Sequence, residues 1–410
     1  MSHLWYVATA VVSIACTTSP TVPEPNGPDS TGFRSAQPIV IRGVTVVPMT
    51  TAATVADRVV VIRDGRVEAI QGAADPVPAG AIEIDAAGKF LMPALTDMHV
   101  HVRRDELSRY LKAGVATVRS MWGYSTLAAR ADSIAAGFLW GPTIFSVSSG
   151  LDASPPTWPE TQFVDDPLKA DSVVGVQAGR GYRAIKIYQR LSRASFDSIV
   201  AAARRRGLDY LGHVPTAVDI RHALEARMRS IEHLGGYEVA VSRTGSAGGF
   251  IRWADADPSR YSALIAETIA NGVWNCPTLA IARRIIGEGG TAATARANYY
   301  RFVRELVAAG GKVVAGSDAG IDRTPAGTGL HEELRELVAA GLSPYHALRA
   351  ATIDAGLLLD RPGHGVLEVG ALADLLLLDR NPLSDVTAVE NPAGLVRRGQ
   401  WLSRATLQRL

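Results

Sequence analysis

"LMPALTDMHVHV", residues 91–102, places two histidines, His99 and His101, two positions apart in an otherwise apolar run that follows a proline. Side chains of a strand alternate faces with a period of two, so both imidazoles share one face while Met98, Val100 and Val102 take the other. Two imidazoles on one face can bind a metal, yet a lone H-x-H also serves as a hydrogen-bonded structural pair. The reading therefore depends on ligands elsewhere in the chain.

On either side of this stretch the texture changes. Upstream, "PIVIRGVTVVP", "RVVVIRDGRVEAIQG" and "AIEIDAAGKFLMP" are short β-branched runs, and Asp64-Gly65 supplies a two-residue hairpin turn. The same texture returns in "GVLEVGALADLLLLDRNP" and "GLVRRGQWL" near the other end. The two flanks, 37–93 and 361–410, are expected to pair as one small β-sandwich domain. Between them, over 94–360, short apolar strands ("GVATVRSM", "TIFSVSS", "AIKIY", "YLGHV", "SIEHL", "VWNCPTL", "KVVAGSDAG") alternate with helix-like stretches, several ending at glycine. Strand then helix, repeated about eight times, is the pattern of an α/β fold of the (β/α)8 TIM-barrel type. A doubly wound open sheet is the rival, but no G-x-G-x-x-G follows an early strand.

A barrel carries its chemistry at the C-terminal ends of its strands. Lys186 in "AIKIY", His213 in "YLGHV", His233 in "SIEHL" and Asp318 in "AGSDAG" stand there. Singly, each has a structural explanation: a core histidine, a helix N-cap, a snorkelling lysine. Together with His99 and His101 they put a metal-competent residue at the end of each of five strands, which chance seldom does.

At this point the sequence resembles the amidohydrolase superfamily, from about 38 to 408, through "PALTDMHVH", Lys186, His213, His233 and Asp318; Ala94 stands where glycine is common. "GHVP", "SIEHLGGYE" and "LEVGALADLLLLDRNPL" are similar to the imidazolonepropionase-like or prolidase-like branch, which includes metal-dependent dipeptidases. The resemblance implies two divalent ions, expected to be Zn2+, with Lys186 carboxylated by CO2 as a bridging carbamate. It also implies that His99, His101 and Asp318 hold one ion and His213 and His233 the other. Neutral imidazoles and carboxylates suit such an ion. A hydroxide shared by the metals would attack a carbonyl, with Asp318 as catalytic general base.

The expected reaction is hydrolysis of an amide C–N bond in a dipeptide or N-acyl amino acid. Alternatives are a single-metal hydrolase of a cyclic amide or lactone, and a non-catalytic barrel homologue. Tyr188 and His331 are candidate substrate contacts, and "SSGLDASPPTWPE" (148–160), with Trp158, reads as a loop over the barrel mouth. His222, His346 and His364 read as surface or packing residues.

The composition fits this reading. A chain of 410 residues, 47% hydrophobic and 20% charged, is a globular protein of more than small-domain size. Its net charge of +2, with scattered Arg and Lys, points to a small-molecule substrate and argues against a nucleic-acid surface. "LWYVATAVVSIAC" (4–16) is an apolar run of signal-peptide length, and 17–36 is a Ser/Thr/Pro-rich tether. "SIAC" resembles a bacterial lipoprotein box, which makes Cys16 the expected lipid anchor of an exported, periplasmic or membrane-anchored protein; a plain secretory signal, a mis-set start codon or no export are the alternatives. Cys276 is then the only other thiol, so no disulfide framework exists.

Overall fold

The structure, a computed structural model, describes residues 37–245 and 248–410. The segments expected to be signal and tether, with Cys16, lie outside the described residues. Among the described residues no helix is long and apolar enough to cross a membrane.

Five strands open the chain: β1 (Ile39–Val46), β2 (Val55–Arg63), β3 (Arg66–Gln71), β4 (Ile82–Asp85) and β5 (Phe90–Pro93). Asp64 and Gly65, at φ 51° and 74°, join β2 to β3. Both central residues of such a hairpin turn need positive φ, which Asp tolerates and Gly adopts freely. Ten strands follow: β6 (Leu95–Val100), β7 (Val115–Ser120), β8 (Thr143–Ser146), β9 (Gly150–Asp152), β10 (Gln162–Phe163), β11 (Ala184–Ile187), β12 (Asp209–Gly212), β13 (Ser230–Glu232), β14 (Trp274–Cys276) and β15 (Lys312–Val313). The last three are β16 (Leu375–Leu378), β17 (Gly394–Arg397) and β18 (Gln400–Ser403).

Both chain ends enter one eight-stranded sheet, ordered β18-β17-β16-β5-β1-β2-β3 with β4 paired to β1. The junction is the antiparallel pair β5–β16, in which Leu91 faces Leu377. Residues such as Ile39, Ile41, Leu375 and Val396 bury one apolar cluster against this sheet, and Val40, Val59 and Val61 bury another.

The middle of the chain is a mixed α/β structure with two parallel sheets, β6-β7-β8 and β10-β9-β11-β12-β13-β14-β15. Backbone hydrogen bonds link them at two places: Ser148 N–H, beyond β8, to Ala184 O of β11 (2.9 Å), and Met98 N–H of β6 to Ala315 O beyond β15 (2.9 Å). β6, β7 and β13 are buried at every position, polar Asp97, His99, Arg119 and Glu232 included.

The helix Arg193–Arg205 shows how the connections form. Ser192 caps it by accepting the Ser195 N–H (3.0 Å), and Phe196, Ile199, Val200 and Ala203 form its buried stripe at helical spacing. Burial of Phe196 and Ile199 stabilises by ~1.5–3 kcal/mol each. Gly207 then turns the chain at φ 63° into β12. The stretch 148–160 departs from expectation: it is not wholly irregular, because Gly150–Asp152 pairs with both β10 and β11.

Candidate metal and active site

The strand-end residues converge. His99, His101, Lys186, His213, His233 and Asp318 all line one cavity of about 770 Å³. The His99 and His101 Nε2 atoms lie 3.4 and 3.2 Å from Asp318 Oδ1. Ring centroids are 4.6 Å apart for His99 and His233 and 4.9 Å for His213 and His233. One ligating atom each from His99, His233 and Asp318 lies within 4.8 Å of the others.

Backbone geometry brings them there. His233 and Asp318 follow their strands at φ 60° and 58°, a left-handed conformation uncommon outside glycine. The chain thus leaves extended geometry at His233, directly after β13, and at Asp318, beyond β15. Gly316 permits a close approach: a Cβ there would lie 2.5 Å from Cys276 Sγ and 2.6 Å from His99 Cβ.

Burial sets the charge states. It pushes the His99 imidazolium down to about 3, and lowers His213 and His233 as well, so these rings are neutral at physiological pH with lone pairs free for a cation. It also pushes the Lys186 ammonium down to about 8. Lys186 is 1% exposed, and its Nζ has no hydrogen-bond partner. Burial works against ionisation of Asp318, but His99, His101 and His233 around it prevail and hold the carboxyl well below the usual range.

Several supporting residues escape sequence reading. Glu232, fully buried, accepts from His99 Nδ1 (2.8 Å) and from Arg119 (3.0 Å). Arg119 also donates to Met98 O and Ser230 Oγ. Asp97 accepts from the Ser317 N–H and hydroxyl, joining the β6 and Asp318 segments; burial raises its carboxyl to about 7. A charged residue inside the apolar "GVATVRSM" was the available signal for Arg119; nothing local marked Glu232 as its partner.

The candidate substrate contacts divide. Tyr188 lines the cavity and accepts the Trp158 indole N–H at 2.6 Å, which leaves its own hydroxyl proton to donate. His331 does not reach it. It is 4% exposed with Nε2 2.8 Å from Ala113 O, and Ala113 precedes β7, whereas the site residues stand at or beyond the C-terminal ends of their strands. His222 pairs with Asp197, His346 with Ser343 and His364 with Thr96, all outside the cavity lining.

Known proteins resemble this chain in sequence and in fold. A curated adenine deaminase of Rhizobium johnstonii is 25% identical over 320 residues, 73% of this chain, and the chain spans about half the length of that protein (47%). Among solved structures, bottromycin amidohydrolase is 25% identical, with a TM-score of 0.71 over 91% of this chain and 88% of that one. A Xaa-Pro dipeptidase with bound methionine (20% identity, 90% and 100% covered, TM-score 0.72) and A. niger ochratoxinase (18%, 90% and 96%, 0.70) share the fold. The pattern of the amidohydrolase family matches residues 181–402. That match takes in Lys186, His213, His233 and Asp318 and covers more than half of the chain, which belongs to the amidohydrolase family.

Proposed function

We propose that the protein is a metal-dependent hydrolase of an amide C–N bond in a small, peptide-like substrate such as a dipeptide or N-acyl amino acid. The observation that carries this reading is the convergence of four histidines, Asp318 and Lys186 on one cavity, with Lys186 Nζ buried and unpartnered. A buried amine without a partner is costly, and the donor set of neutral imidazoles and carboxylate suits divalent zinc.

In this reading the eight strands β6, β7, β8 and β11–β15 form a (β/α)8 barrel, and the sheet shared by the chain ends folds over as a small sandwich. His99, His101 and Asp318 would hold one ion, His213 and His233 a second, and Lys186, carboxylated, would lie between them. When bound, such ions polarise a carbonyl and lower the pKa of water toward neutrality.

The chain's own residues do the rest. Asp318, held anionic, takes the proton of the attacking water and passes it to the leaving nitrogen. Burial raises the Tyr188 phenol, so it stays protonated and donates toward the substrate oxygen. Apolar walls such as Val214, Ile220 and Phe250 exclude bulk water and receive the uncharged part of the substrate.

The test is a hydrolysis screen of zinc-loaded protein over dipeptides, N-acyl amino acids, lactones and, given the deaminase relative, aminopurines, together with metal analysis. Two ions per chain with peptide-like turnover is the expected result. One ion with lactone or cyclic-amide turnover replaces the reading, and no metal and no turnover overturns it.

A further inference from the structure

His233 Nδ1 lies 2.8 Å from the Thr278 hydroxyl oxygen, 45 positions away. That hydroxyl already donates its single proton to Pro277 O (2.7 Å), and the same carbonyl accepts the buried Tyr299 hydroxyl (2.6 Å). A hydroxyl that has given its proton away can only accept. The proton between Thr278 and His233 therefore belongs to His233 Nδ1, and Nε2 keeps a free lone pair.

The helix that follows shows what releases the hydroxyl for this task. Thr278 is the N-cap of Leu279–Ile286, where a threonine ordinarily accepts a backbone N–H of the first turn, yet its side chain makes no capping bond. Its backbone is left-handed, φ 52° and ψ 53°, an uncommon conformation for a β-branched residue. The vacated capping role falls to Glu333, fully buried in the helix Thr328–Ala339, whose Oε2 accepts the Ala280 N–H at 2.7 Å. Two buried side chains thus exchange the usual assignment: a distant carboxyl caps the helix and the N-cap hydroxyl faces a histidine.

We infer that Thr278 is a positioning residue that holds His233 as the Nδ1–H tautomer with Nε2 free for metal, and that Glu333 makes this possible by capping the helix in its place. The inference rests on the reading of His233 as a ligand for its purpose, but the tautomer itself exists without metal. Tautomer and ring orientation set by such partners govern how well a histidine binds a metal.

The experiment uses the full protein, metal-free and labelled with 15N-histidine, with the His233 imidazole nitrogens assigned by comparison with His233→Gln. Wild type and Thr278→Ser should show the proton on Nδ1, and Thr278→Val a shift toward Nε2–H. Zinc affinity, measured by chelator competition, should fall about 10–100-fold in Thr278→Val and recover in Thr278→Ser. Glu333→Leu should reproduce part of the valine defect by recalling the Thr278 hydroxyl to the helix, whereas Glu333→Gln, which keeps an acceptor, should not. A proton on Nε2 of His233 in the metal-free wild type overturns the inference, whatever the variants do. So does an unchanged tautomer and zinc affinity in Thr278→Val. Failure of the wild type to bind zinc would instead sink the hydrolase reading and leave the tautomer result standing.

Discussion

His99 Nδ1 lies 2.8 Å from Glu232 Oε2, although 133 positions separate the two residues in the chain. Glu232 is ionised in spite of burial, because Arg119 beside it holds its carboxyl well below the ordinary range. It therefore accepts the Nδ1–H of His99 and leaves Nε2 toward Asp318. Glu232→Gln should lower zinc affinity by about 10–100-fold. It should also destabilise the fold by roughly 3–5 kcal/mol, because Arg119 loses its buried counter-charge. Chelator competition and denaturant unfolding read the two effects separately; wild-type zinc affinity in the variant would free His99 from this partner.

Asp318→Asn keeps the shape of the side chain but cannot accept a proton. Turnover of the best substrate should fall by about 10²-fold or more in kcat, with the fold and much of the zinc retained. A variant with near-wild-type kcat would remove Asp318 from the chemistry.

Lys186→Ala should lose zinc and activity together, and a short-chain carboxylic acid in solution should restore part of both by filling the vacated position. Carbamate formation needs the free amine, and burial brings Lys186 to about 8. Bicarbonate-dependent zinc uptake by metal-free protein should therefore rise as pH increases from about 7 to 9. Unmodified Lys186 beside fully occupied metal sites, with uptake independent of bicarbonate, contradicts the carbamate.

Glu333 offers a pH test of stability. Burial raises its carboxyl from 4.5 to about 8, so the folded protein holds this proton more tightly than the unfolded chain does. The resulting stabilisation is present below about pH 4.5 and is lost as pH rises through 8. Glu333→Gln is neutral throughout and lacks that slope. Between about pH 5 and 8 the metal-free wild type should lose up to a few kcal/mol relative to the variant, since each tenfold change in proton affinity is worth ~1.4 kcal/mol. Parallel pH profiles of the two proteins in denaturant melts would show that Glu333 is ionised inside the fold.

His331→Leu should leave kcat/KM within about twofold of wild type while lowering stability by roughly 1–3 kcal/mol, because the buried Ala113 carbonyl loses its partner. A KM raised tenfold with unchanged stability would return His331 to the substrate.

Local patterns were legible in the sequence. The period-two spacing of His99 and His101 put both rings on one face, Asp64-Gly65 marked its hairpin, and single polar residues at the ends of apolar runs marked Lys186, His213, His233 and Asp318, because each signal lies within a few residues of the side chain concerned. Tertiary structure alone decided the partners: Glu232 for His99, Thr278 for His233, Glu333 for the helix after Thr278, and Ala113 for His331. Each of these pairs joins residues tens to hundreds of positions apart, so strand order and helix docking select the partner, and no local spacing encodes it. The same holds for charge: a lysine or carboxyl takes its protonation state from burial and from neighbours supplied by other strands, and these exist only once the chain has folded.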